Sequence, residues 1–66
     1  MTEWQNRVIS EKEELDNKIT KLKEFLSSDK DKELDNMTFA LLTEQCYYMQ
    51  EYSIILEERI KHFKKD

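Results

Sequence analysis

TEQCYYMQEYSIIL, residues 43–56, decides the architecture. Its apolar positions recur at helical rather than strand spacing, yet tyrosine and glutamine stand where a plain hairpin core would carry leucine. Continued outward, the face reads Leu42, Gln45, Met49, Tyr52, Leu56, Arg59 and Phe63, in alternating steps of three and four. Leu41, Tyr48 and Ile55 widen it on one side and Ile60 on the other. Such a stripe is wider than one partner helix covers, so a second contact surface is expected.

Upstream, Leu15, Ile19, Leu22 and Leu26 form one face of a first helix, extended less regularly by Val8 and Trp4. Thr2 with Gln5 three residues on fits a capping box. The intervening SSDKDKELD breaks the periodicity, because Ser and Asp compete with the helix for backbone hydrogen bonds. Asp35 then caps a second helix. The expectation is one domain over 1–66: helix 1 about 3–26, turn about 27–35, helix 2 about 36–63. With the turn centred near residues 30 to 32, the break at Glu11 and Lys12 in the first stripe falls opposite Tyr52.

Composition narrows the class. Of 66 residues, 39% are charged and none is Gly or Pro, which disfavours tight hairpins and bulges and favours helix. The fold class is all-α: an antiparallel two-helix hairpin. A chain below about 70–80 residues seldom stabilises itself with one core and turns to disulfides, metals or oligomerisation. Cys46 is the single cysteine, so the hairpin is expected to complete its core by homo-oligomerisation into a helical bundle.

A net charge of −4 argues against nucleic acid, whose binding rests on phosphate neutralisation by Lys and Arg. The N-terminus has no secretory pattern, and no apolar run approaches the ~20 residues of a membrane span. A soluble protein of the cytoplasm is expected. His62 is the one histidine and lies in a basic tail, so no nucleophile–His–acid set can be assembled. Without glycine there is no phosphate-cradling loop. One His, one Cys and scattered carboxylates give no zinc spacing, and the aspartates of residues 29–35 lack the glycine a calcium loop requires. Neither enzyme activity, metal nor cofactor is expected. Cys46 reads as a small buried hydrophobe.

The polar residues near the gap are the candidate site. Tyr48 and Tyr52 can stack on a nucleobase or serve as subunit-interface anchors, since tyrosine suits both. Gln45 can read a base edge. Arg7, Lys12 and Arg59 can meet phosphates, and Glu11 can orient them; Arg7–Glu11 also makes an ordinary i,i+4 pair. Arg59, placed on the main stripe, would need a carboxylate or a ligand anion if buried.

Arg7, Val8, Glu11, Leu15, Ile19, Leu22, Phe25 and Leu26, followed by Leu41, Leu42, Gln45, Met49, Tyr52, Ile55, Leu56, Arg59 and Ile60, form an order that resembles a family of small bacteriophage proteins. More distantly, size, hairpin plan and the second-helix pattern are similar to the phage helical-hairpin "sponge" proteins that sequester the cyclic-nucleotide messengers of anti-phage systems such as CBASS and Thoeris. The resemblance implies a self-associating hairpin of the bacterial host cytoplasm. It would counter host defence by binding, without turnover, a small anionic cyclic nucleotide or ADP-ribose-type signal between subunits. The alternative is an acidic protein-binding inhibitor or adaptor that docks a helix face onto a host protein, with the tyrosines as anchors.

Overall fold

A computed structural model describes residues 2–63. Helix α1 spans Glu3–Leu26 and helix α2 spans Asn36–Lys61, joined through a short 3-10 helix at Asp29–Glu33. The two helices contact each other along their length as a hairpin. None of the described helices is long and apolar enough to cross a membrane.

Both helices start where the sequence supplies caps. The Thr2 hydroxyl accepts from the Gln5 backbone N–H while the Gln5 side chain accepts from the Thr2 N–H, completing the capping box and satisfying two orphan donors. Asp35 accepts from the Thr38 N–H at 2.6 Å, which holds its carboxyl below the usual range. At the other end of α1, the Ser27 and Ser28 hydroxyls turn back onto the carbonyls of Lys23 and Phe25. That local pairing stops the helix.

The seam of α1 is Gln5, Val8, Lys12, Leu15, Ile19, Leu22 and Leu26, with Gln5, Val8 and Ile19 buried and the others half-buried. It meets Leu42, Cys46, Met49, Ser53, Leu56 and Ile60 of α2, of which Cys46, Ser53 and Leu56 are buried. The inward face of α2 is therefore rotated from the expected one. Cys46, Ser53 and Ile60 take the places assigned to Gln45, Tyr52 and Arg59, all three of which are exposed. One residue is about 100° of helix rotation. Because α2 is apolar around much of its circumference, two adjacent stripes fit a 3–4 period equally well. The choice falls to α1, whose seam carries Lys12 and has Asp16 at its edge: polar groups that need small or polar partners.

The register also shifts. Trp4 meets Phe63 edge to face, ring centroids 5.2 Å apart. Lys12 reaches Glu57 and Asp16 meets Ser53. These pairs set α2 about one turn further along than a turn centred on residues 30 to 32 gives, since the 3-10 turn winds on before the chain reverses. Glu11 still lies against Tyr52, because two long side chains bridge back across the edge of the seam.

Candidate functional site

Two polar arrangements flank the seam, one on each side, and they differ in chemistry. On the first, Lys12 Nζ lies 2.6 Å from Asp16 Oδ2 and 3.6 Å from Glu57 Oε2. The Ser53 hydroxyl donates to Asp16 Oδ1. The Lys12 side chain is only 20% exposed. Here is the enclosed cation expected at Arg59, and its carboxylate partners come from its own helix and from α2. This set is internally satisfied. Lys12 is thus engaged in holding the helices together, its charge met by Asp16 and Glu57 rather than left for a ligand anion.

The pH response of this arrangement has a definite sign. Hydrogen bonds from Lys12 and then from Ser53 hold Asp16 below its ordinary 3.8. The Asp16 hydrogen bond holds Lys12 above its ordinary 10.5. Asp16 therefore contributes stability that is present above pH ~4 and lost as the pH falls through its lowered value. Lys12 contributes stability that is present below pH ~10.5 and lost as the pH rises through its raised value. The thermal midpoint should show a plateau between these limits. Asp16→Asn should make the acid limb shallower, leaving the share that comes from the Asp35 cap. Lys12→Met should do the same to the alkaline limb, leaving the share of Tyr52. Unchanged profiles in both variants would show that the network contributes nothing.

On the second side, the Tyr52 hydroxyl donates to a Glu11 carboxylate oxygen. That bond, with partial burial, raises the phenol above its usual pKa, and the nearby Arg59 charge opposes the shift. Tyr48 is one helical turn from Tyr52 and packs edge to face on Tyr47, centroids 5.3 Å apart. Gln45 is exposed one turn further on, its amide nitrogen 3.8 Å from the Met49 sulfur. Arg7 is exposed and bound to Glu3 at 2.7 Å. Arg7 and Glu11 also border a shallow hollow of about 360 Å³ along α1, with Glu3, Asn6, Ser10 and Glu14. Its carboxylates outnumber its one cation, so alone it suits no anion.

Of the seven residues singled out in the sequence, Glu11, Gln45, Tyr48, Tyr52 and Arg59 share one side of the hairpin, Arg7 borders it, and Lys12 faces away. Asp16, Ser53 and Glu57 were not among the seven. A lone serine within the apolar run Tyr52–Leu56 is the available signal for them. Among the described residues no group of acidic, His or Cys side chains could hold a metal ion.

A family model, Sequestin, matches residues 2–62. The chain belongs to the Sequestin family. The match takes in both helices and every one of the seven singled-out residues. It accords with the resemblance drawn from the polar positions of the two stripes. No curated protein and no solved structure matches this Sequestin chain.

Proposed function

We propose that this protein is a phage anti-defence factor that binds and sequesters a small anionic nucleotide signal in the host cytoplasm without chemical turnover. The observation that carries the reading is the exposed grouping of Tyr48, Tyr52 and Arg59 with Glu11 and Gln45 on one face. Two aromatic rings can stack on a base, a guanidinium can meet a phosphate, and an amide can read a base edge. The family name, Sequestin, is compatible with retention of a ligand rather than its conversion. Self-association would complete the site. The face is too open on one hairpin to enclose a ligand, and a chain of this size gains its missing burial from further copies.

Native mass spectrometry tests the reading. The protein, purified alone, is mixed with a panel of cyclic nucleotides and ADP-ribose derivatives. Discrete added nucleotide masses on a defined oligomer are expected. An oligomer that takes up none would overturn the nucleotide reading and favour an acidic adaptor for a host protein. The exposed acidic positions Glu13 and Glu14 of α1 would belong to the contact face in that case, whereas Asp16 beside them is tied to Lys12 and Ser53.

A further inference from the structure

Trp4 is the one tryptophan of the sequence, and it stands outside the grouping described above. It lies at the open end of the hairpin, edge to face with Phe63 at an interplanar angle of 82°. Such a contact takes up at most one face of the indole. Trp4 is 48% exposed, whereas Val8, one turn further into the seam, is 6% exposed. A ring that served only to close the end of the hairpin would be sealed as Val8 is. This indole is instead braced by Phe63 and open to solvent over nearly half its surface.

What faces Trp4 across the hairpin follows from the register on that side. Tyr52 bonds to Glu11. One heptad toward the open end, two turns to within about 20° of rotation, leads from Glu11 to Trp4 and from Tyr52 to Arg59. Trp4 therefore stands to Arg59 as Glu11 stands to Tyr52. Phe63 lies one turn beyond Arg59, and Tyr52 lies two turns before it, roughly 10 Å along the helix axis. The guanidinium is thus flanked by aromatic rings on both sides, with the Trp4–Phe63 pair nearer than Tyr52. Other cations at this end are taken, Arg7 by Glu3 at 2.7 Å and Lys61 by Glu58 at 3.5 Å. Arg59 makes no ion pair among the described residues.

We propose that Trp4 is a further ligand-binding residue, an indole platform for the purine of a nucleotide whose phosphate is bound by Arg59. The step rests on the nucleotide reading and extends its site from Tyr52 to the open end of the hairpin. A base and its own phosphate are separated by a single sugar, about the span of one helical turn, which is the offset between Arg59 and the Trp4–Phe63 pair. Purine is favoured over pyrimidine because its two fused rings match the indole and cover more of its open face. Phe63 fixes the indole before a ligand arrives, so less side-chain freedom is lost on binding. Glu3, next to Trp4 in the chain, does not repel the phosphate as a free carboxylate would, since Arg7 offsets it. Tyr48 and Tyr52, on the other side of Arg59, remain available to a second ring of the ligand.

The tryptophan reports on its own occupancy. Stacking of a purine on an indole quenches its fluorescence, and no second tryptophan is present to mask the change. Cyclic AMP and ADP-ribose, titrated with excitation at the red edge of the indole band, should quench Trp4 saturably. Cyclic UMP should quench only at higher concentration. Ribose 5-phosphate, which offers the phosphate without a base, should not quench at all. Arg59→Ala should remove the quenching at concentrations that saturate the unmodified chain. Uptake of the same compounds is followed in parallel by native mass spectrometry.

Two substitutions separate stacking from a purely structural role. Trp4→Leu keeps apolar cover at the end of the hairpin but has no π-face, and by calorimetry it should bind the purine compounds roughly tenfold more weakly. Trp4→Phe keeps a ring and should recover most of that loss. A residue that only sealed the end would give the same affinity in both. Purine uptake with unchanged Trp4 emission, or equal affinities in Trp4→Leu and Trp4→Phe, would overturn the assignment of Trp4 and leave the sequestration reading standing. No uptake across the whole panel of cyclic nucleotides and ADP-ribose derivatives would remove the sequestration reading and the assignment with it.

Discussion

Leu56→Ala should unfold the hairpin at 25 °C, read as the loss of helical circular dichroism in dilute solution. Leu56 is the one described large side chain with no exposed surface at all. Truncating a buried leucine to alanine removes about 2–5 kcal/mol, the transfer energy of the lost methyl groups plus the cavity left behind. A core in a chain of this size supplies no more than about 3–5 kcal/mol, so the loss is comparable to the whole. Ile55→Ala, one residue away with a side chain of equal size, is the control: Ile55 is 56% exposed and truncation there should leave the isolated hairpin's melting midpoint nearly unchanged. The contrast makes the experiment specific, because the seam first read from the sequence also included Leu56 but placed Tyr52 and Arg59 beside it. If Ile55→Ala melts as early as Leu56→Ala, the hairpin is folded only as part of an assembly that covers both.

Much of the fold was legible because local rules and global packing agree here. The capping box at Thr2 and Gln5 and the cap at Asp35 form from side chains within three residues of their targets. No tertiary context is needed to find them. The serines at residues 27 and 28 end α1 by equally local bonds. The face of α2 was not legible to the same degree. A 3–4 spacing identifies a stripe but cannot rank two neighbouring stripes when both are apolar, and tyrosine scores as apolar while a lone serine does not attract attention; Cys46 reads as buried from the sequence and is buried, but that alone does not rotate the stripe. Ser53 is inside because α1 brings Asp16 to that level, a fact carried by the other helix, and Cys46, two turns away on the same stripe, turns inward with it. The same limit applies to the site: the sequence grouped Arg7, Lys12 and Arg59 by charge, whereas the seam divides Lys12 from the other two. That division removes a cation from the candidate phosphate contacts and gives more weight to Arg59.

Arg59→Ala should abolish nucleotide binding, a fall in affinity on the order of 100-fold or more by calorimetry with a cyclic nucleotide that binds the unmodified chain. The guanidinium is exposed in the last turn of α2 and makes no ion pair among the described residues, whereas Arg7 is held by Glu3 and Lys12 by Asp16 and Glu57. Of the three arginine and lysine side chains singled out for phosphate, it is therefore the one whose hydrogen-bonding capacity is least committed. A charge-assisted contact to phosphate contributes about 1.5–3 kcal/mol, close to tenfold per 1.4 kcal/mol. Bidentate geometry places arginine at the upper end. Because the side chain is exposed, its removal should shift the melting midpoint little, and helicity and oligomeric state should persist. Arg7→Ala should cost less, since Glu3 already offsets that charge. Tyr52→Phe separates the remaining roles: it keeps the stacking face, frees Glu11, and places a carboxylate without its hydroxyl partner beside the incoming phosphate, so affinity should fall even though no ring surface is lost. Unchanged affinity in Arg59→Ala would sink its assignment to phosphate. Unchanged affinity in Tyr52→Phe would reduce Tyr52 to packing, and the two results together would move the site off this face.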